Sequence, residues 1–152
     1  MSIRVVGAGV DTLILNVRYA DATYASIRKK LDEDIQVQLD LWQEKAQEAE
    51  EPIASPWSFN QTHLFMAPHG AGKGQWRWLL TSQQLALCLS RGRFNGIIAQ
   101  VRLSSEYLWS QPSVGDALSH VQAFLLTFFG EAIHLQISEI HLCADVTGWG
   151  VS

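Results

Sequence analysis

The sequence predicts an α+β domain: a mainly antiparallel sheet with two helices packed on one face, in the order β-α-β-β-β-β-α-β. Three observations predict it. Apolar residues alternate singly in the segment Val10–Tyr19 and again from Trp57 onward, as half-buried strands require. Between Ile27 and Ala49 they recur instead at three- and four-residue steps. The breaks between the later strands are short, which suits hairpins and not parallel crossovers.

Each element has its own warrant. In the first strand, Leu13, Leu15 and Val17 alternate with Thr12, Ile14 and Asn16. Asp21 then caps a long helix whose stripe is Ile27, Leu31, Ile35, Leu39, Trp42, Ala46 and Ala49, with charged residues from Arg28 to Asp34 on the other side. The stripe fades near Glu50, and Pro52 with Pro56 ends it. Trp57–Met66 reads as one strand, and the segment from Pro68 to Gly74 as a glycine-rich loop. Trp76–Thr81 and Leu85–Ser90 follow as strands. Arg91–Gly96 is a turn whose Asn95-Gly96 pair tolerates positive φ, and Ile97–Leu103 is the next strand. Tyr107 reads as a buried anchor. A second helix opens at about Val114, buries Ala117, Leu118, Val121, Leu125 and Phe128, and stops at Gly130. The last strand runs from about His134 to Val146.

Composition bounds the function. At 152 residues, 47% hydrophobic and 17% charged, the chain is an ordinary globular sequence of one domain, 1–152. Its apolar runs are too short to span a bilayer, and its N-terminus has no secretory hydrophobic region, so a cytoplasmic protein is expected. Cys88 and Cys143 show neither metal-ligand spacing nor a disulfide framework and read as reduced thiols. Eleven basic against 15 acidic residues give a net charge of −4, which argues against a free-standing module that works by neutralising phosphates. A local basic patch remains compatible with that balance.

The last strand carries the chemistry. Alternation puts Glu139, His141, Cys143 and Asp145 on one face, and Ile140, Leu142 and Ala144 on the other, where they are expected to pack against the helices. Carboxylate, imidazole and thiol are all ligand types for a divalent cation. Residues two apart on one face are separated by roughly 6–7 Å, so Glu139 and His141 can share an ion. Residues four apart are about 13 Å from each other, so adding Asp145 needs a bulge or a neighbouring strand. The plain alternative is the solvated face of an antiparallel sheet. Lys73, Arg91, Arg93 and Arg102 form a candidate DNA-binding patch beside Phe94 or Trp76, weighed against scattered surface charge. The segment Gly70-Ala71-Gly72-Lys73-Gly74 lacks Walker A spacing and is a hairpin loop. No nucleophile-elbow pattern supports a Ser-His-Asp triad.

Three segments together resemble the replication-initiation-factor family, the rolling-circle Rep proteins of small plasmids and some phages. Gly9-Val10-Asp11-Thr12-Leu13-Ile14-Leu15-Asn16-Val17 looks like its opening strand. The segment from Phe94 to Ser104 is similar to its middle strand. Ile137-Ser138-Glu139-Ile140-His141-Leu142-Cys143-Ala144-Asp145 looks like its Asp-bearing strand. The resemblance implies a sheet-based domain that binds a replication origin and nicks one strand, using a tyrosine nucleophile and a divalent cation, Mg²⁺ or Mn²⁺, held by acidic residues. Asp145 matches the family's second Asp, His141 stands in place of the first, and Glu139 in place of an Arg. The family's tyrosine lies downstream of this strand, whereas Tyr19, Tyr24 and Tyr107 all lie upstream. The chain is therefore expected to be the N-terminal part of a longer Rep-like protein and inactive alone. The alternatives are a non-enzymatic assembly domain, dimeric through an exposed aromatic sheet face, and an independent metal-dependent hydrolase using His141.

Overall fold

The computed structural model describes residues 10–19, 25–71, 75–94, 97–129 and 133–142; within these, the side chains of 10, 19, 25–33, 91–94, 141 and 142 are left aside. In chain order the elements are β1 (Val10–Tyr19), α1 (Ala25–Ala49), β2 (Ile53–Phe59), β3 (Thr62–Met66), β4 (Trp78–Thr81), β5 (Leu85–Phe94), β6 (Ile97–Leu103), α2 (Ser105–Ser110), α3 (Val114–Phe129) and β7 (Ile133–Leu142). The expected α+β architecture is present. The strands form one antiparallel sheet in the order β2-β3-β4-β5-β6-β1-β7. From β2 to β6 it is a meander. β1 then docks beside β6, and β7 closes the far side of β1.

The long helix ends through backbone geometry. Glu50 takes φ 56°, the Glu50 amide bonds the Gln47 carbonyl at 3.2 Å, and the Glu51 amide bonds the Ala46 carbonyl at 3.3 Å. This is a Schellman ending with a glutamate where glycine is usual, and Pro52 follows it. At the start of α3, Ser113 Oγ accepts from the Asp116 amide at 3.1 Å and donates to its carboxylate at 2.9 Å. The helix buries Ala117, Val121, Leu125, Phe128 and Phe129 along one stripe.

Four local readings change. Trp57–Met66 is not one strand but the end of β2, a tight turn and β3. Asn60 and Gln61 both have positive φ, 51° and 64°, which is the twist a two-residue hairpin needs. Pro56 lies inside β2, where an edge strand tolerates the missing N–H, and the register slips between Ala54 and Ser58. β5 continues to Phe94, which pairs with Ile97, so the turn is shorter than Arg91–Gly96. A third helix, α2, is capped by Ser104, whose Oγ accepts from the Tyr107 amide at 3.2 Å. Ala71 and Trp76 exchange backbone hydrogen bonds at 3.0 and 3.3 Å on either side of residues 72–74, which lie outside the described residues.

The core lies between one face of the sheet and the helices. Leu13, Leu15, Val17, Leu64, Met66, Trp78, Leu80, Leu87, Val101 and Leu103 are fully buried, all pointing to the same side. Tyr107 is buried there too, as expected of an anchor. α3 touches β7 at one end of the sheet, and its Phe124 and Phe128 meet Phe59 and Trp57 of β2 at the other, with ring centroids 5.4 Å apart in both pairs. A flat seven-stranded sheet would hold those edges far apart. The sheet therefore curls around its helices, as its twist favours.

Candidate nucleic-acid and metal face

The reverse face of the sheet carries the other half of each strand's alternation. Thr12, Ile14, Asn16 and Arg18 of β1 are all partly exposed there. Pairing fixes what lies beside them. Ile14 sits opposite Arg102 of β6 on one side and Glu139 of β7 on the other. Arg102 and Glu139 are both exposed, and two strand spacings separate them by roughly 10 Å. One register step along, Asn16 lies between Gln100 and Gln136, and Gln100 Nε2 donates to Asn16 Oδ1 at 3.2 Å. Arg18 Nε donates to Gln136 Oε1 at 3.3 Å, which holds a second guanidinium over this face. Cys88 lies opposite Gln100, and burial raises its thiol pKa.

The seven residues named from sequence are distributed unevenly. Glu139 stands exposed in β7, and His141 occupies the register position opposite Thr12, two residues along. Asp145, Cys143, Lys73 and the Asp21 cap lie outside the described residues. Arg91 and Arg93 lie in β5, but Arg102 pairs with Ala86, so Arg91 is roughly 17 Å further along that strand. Along the backbone, Arg91 and Arg102 thus stand apart, and the side chains of Arg91 and Arg93 lie outside the described ones. Arg18 was missed, although it shares the outward phase of Thr12 and Asn16; it pairs with Ile97, the partner of Phe94, near the Arg91–Arg93 end.

Two expectations about neighbours fail. Trp76 is buried, with 7% exposure, so it is no stacking platform beside the arginines; its bridge to Ala71 turns it inward. Ile140 is not sealed beneath a helix. It is 49% exposed and Ile137 is 48% exposed, in a strand at the edge of the sheet. The register also slips in β7, with Ile14 opposite Glu139 and Leu15 opposite Ile137. Ser138 is the extra residue. That bulge precedes Glu139, and a second irregularity lies where Val10 and Thr12 pair with Leu142 and His141.

Among the described residues, no three His, Cys, Asp or Glu side chains converge as a metal-holding group. Glu139 contributes a hard oxygen donor to the open face, the donor type Mg²⁺ and Mn²⁺ prefer. Tyr107 is a poor nucleophile where it stands. It is buried, its hydroxyl lies 3.5 Å from His120 Nδ1, and burial pushes its pKa up to about 12. A shallow groove of about 410 Å³ between the β2–β3 turn and α3 is lined by Ser58, Phe59, Asn60, His120, Ala123, Phe124 and Thr127. His120 is its one titratable lining group, so it lacks the paired acid and base that hydrolysis needs.

Among the described residues, no helix is long and apolar enough to cross a membrane. No protein-family model, curated protein or solved structure matches the chain.

Proposed function

We propose that this chain is a Rep-like domain that contributes DNA and metal contacts to origin binding and nicking in rolling-circle replication, acting in the cytoplasm. The observation that supports this reading best is the cross-strand row Arg102–Ile14–Glu139, whose two charged residues are both exposed. Arg102 offers a guanidinium to a phosphate, and Glu139 offers a carboxylate to a divalent cation close to that phosphate. Arg18 extends the cationic surface, and Arg91, Arg93 and Lys73 are its proposed continuation. Glu139, His141 and Asp145 are the proposed ligands of Mg²⁺ or Mn²⁺. Such an ion would stabilise charge on a transferring phosphate.

Polar amides support the same reading. Gln100, Asn16 and Gln136 form a band across β6, β1 and β7, able to donate to phosphate or sugar oxygens between the two arginines. The tyrosine that would attack the phosphodiester is not assigned to Tyr107, for the reasons of burial given above.

The test is anisotropy with a labelled DNA hairpin and with its single strand, each with and without Mn²⁺. The expected result is salt-sensitive binding that weakens on Arg102→Ala, and Mn²⁺-dependent tightening that is lost in Glu139→Ala. Binding unaffected by Arg102→Ala and indifferent to Mn²⁺ overturns the proposal, as does an absence of binding at low salt.

A further inference from the structure

The two edges of the sheet are built differently. β2 carries Pro56, has an irregular register against β3 and is preceded by Pro52, all devices that blunt an edge. β7 has ten residues, no proline and no lysine, and among the described residues it pairs only with β1. Two half-exposed isoleucines, Ile137 and Ile140, flank its open side. An edge of this kind is a template for another strand.

The sequence of β7 specifies which strand. Its pairing with β1 sorts its residues by face: Leu135, Ile137 and Ile140 share the side of Val17, Leu15 and Leu13, whereas His134, Gln136 and Glu139 share the side of Arg18, Asn16 and Ile14. Ser138 is skipped. Consider an antiparallel second copy of β7 with a two-fold axis through Gln136. Leu135 then meets the partner's Ile137, Ile133 meets the partner's Ile140, and His134 meets the partner's Glu139, with Ser138 skipped in both copies. Apolar residues face apolar residues on the helix side. On the other side each imidazole faces a carboxylate, twice by symmetry, with Arg18 next to each His134 adding a cation opposite the same carboxylate. Isologous pairing demands such self-complementarity, and a shift of one residue destroys it by opposing the two faces.

We infer that a second copy of this chain pairs with β7 about Gln136, joining two sheets into one continuous fourteen-stranded sheet. This assembly stands whether or not the face binds DNA.

The experiment is sedimentation of the full chain over a wide concentration range, with four exposed-site variants checked by circular dichroism for native folding. The wild type is expected to reach twice its 17.0 kDa mass, and Ile137→Lys to remain monomeric. His134→Glu is expected to weaken the dimer, and the reciprocal swap His134→Glu with Glu139→His to restore it. Gln136→Cys is expected to form a disulfide between the two copies at position 136, located by peptide mass. A wild-type chain that stays monomeric at every concentration overturns the inference. So does a dimer that survives Ile137→Lys and gives no crosslink at position 136, because it must use another surface.

Discussion

The indole N–H of Trp78 donates to Asp40 Oδ1 across 3.1 Å, fastening a fully buried residue of β4 to the middle of α1. Next to it, Gln43 Nε2 donates to the Arg77 carbonyl at 2.8 Å, and one turn on, Gln47 Nε2 donates to the Pro68 carbonyl at 3.0 Å. α1 is thus set against the sheet by directional bonds as well as by Leu39 and Ala46, which fix its rotation. Removing the acceptor in Asp40→Ala takes away this bond of a buried indole and is expected to cost about 1–3 kcal/mol. Arg77 reaches the same carboxylate only at 4.0 Å and is half-exposed, so Arg77→Ala is expected to cost under about 0.5 kcal/mol. Urea unfolding of the two variants separates these outcomes.

Gly70 is constrained by its neighbours. A methyl group there would run into the Trp76 carbonyl oxygen, and the Arg77 carbonyl lies 2.7 Å away. Both are backbone, and Trp76 is held by its reciprocal bonds to Ala71. Gly70→Ala is therefore expected to destabilise by about 1–3 kcal/mol, the range for forced overpacking. Gly115, at the exposed start of α3, meets nothing closer than the Ser113 hydroxyl at 3.6 Å. Gly115→Ala is expected to be neutral or stabilising, since alanine is the better helix former. Paired thermal melts of the two variants test the contrast.

Tyr107 ties stability to alkaline pH. Burial raises its pKa from 10.0 to about 12, so the folded state binds the phenolic proton more tightly than the unfolded chain. The contribution to stability is complete below pH 10.0 and is lost as pH rises through about 12. Spectrophotometric titration is expected to show a late phenol that disappears in Tyr107→Phe, and that substitution is expected to flatten the fall in stability over this window. A titration with no late phenol contradicts the prediction.

Cys88 should behave as a protected thiol. Its pKa is raised by desolvation, which lowers the thiolate fraction at neutral pH. An aromatic disulfide reagent is expected to label it slowly in the native protein and rapidly in denaturant, with the site mapped by peptide mass. Equal rates would mean that the thiol is open to solvent.

Local physics made several elements legible. The α1 and α3 stripes follow from a helical period repeated over several turns, and the β1 alternation from a strand with one buried face. The turn at Asn60-Gln61 escaped notice because glutamine has no special liking for positive φ; the hairpin's own strand pairing holds it there. α2 escaped because six residues carry too little periodicity to announce a helix. The candidate site was half legible. Glu139 and Arg102 were each visible as outward residues of a strand, yet nothing local links them.

The sequence by itself determined which side of each strand is oily, where the two longer helices run, and which ionisable groups share a strand. These depend on neighbours a few residues away, where side-chain period and backbone preference act directly. Only the tertiary structure decided that β1 inserts between β6 and β7, bringing Arg102 and Glu139 to either side of Ile14. It alone also left Ile137 and Ile140 uncovered at an edge. Those outcomes depend on contacts between segments far apart in the chain, whose stability comes from the whole buried face and not from any one strand.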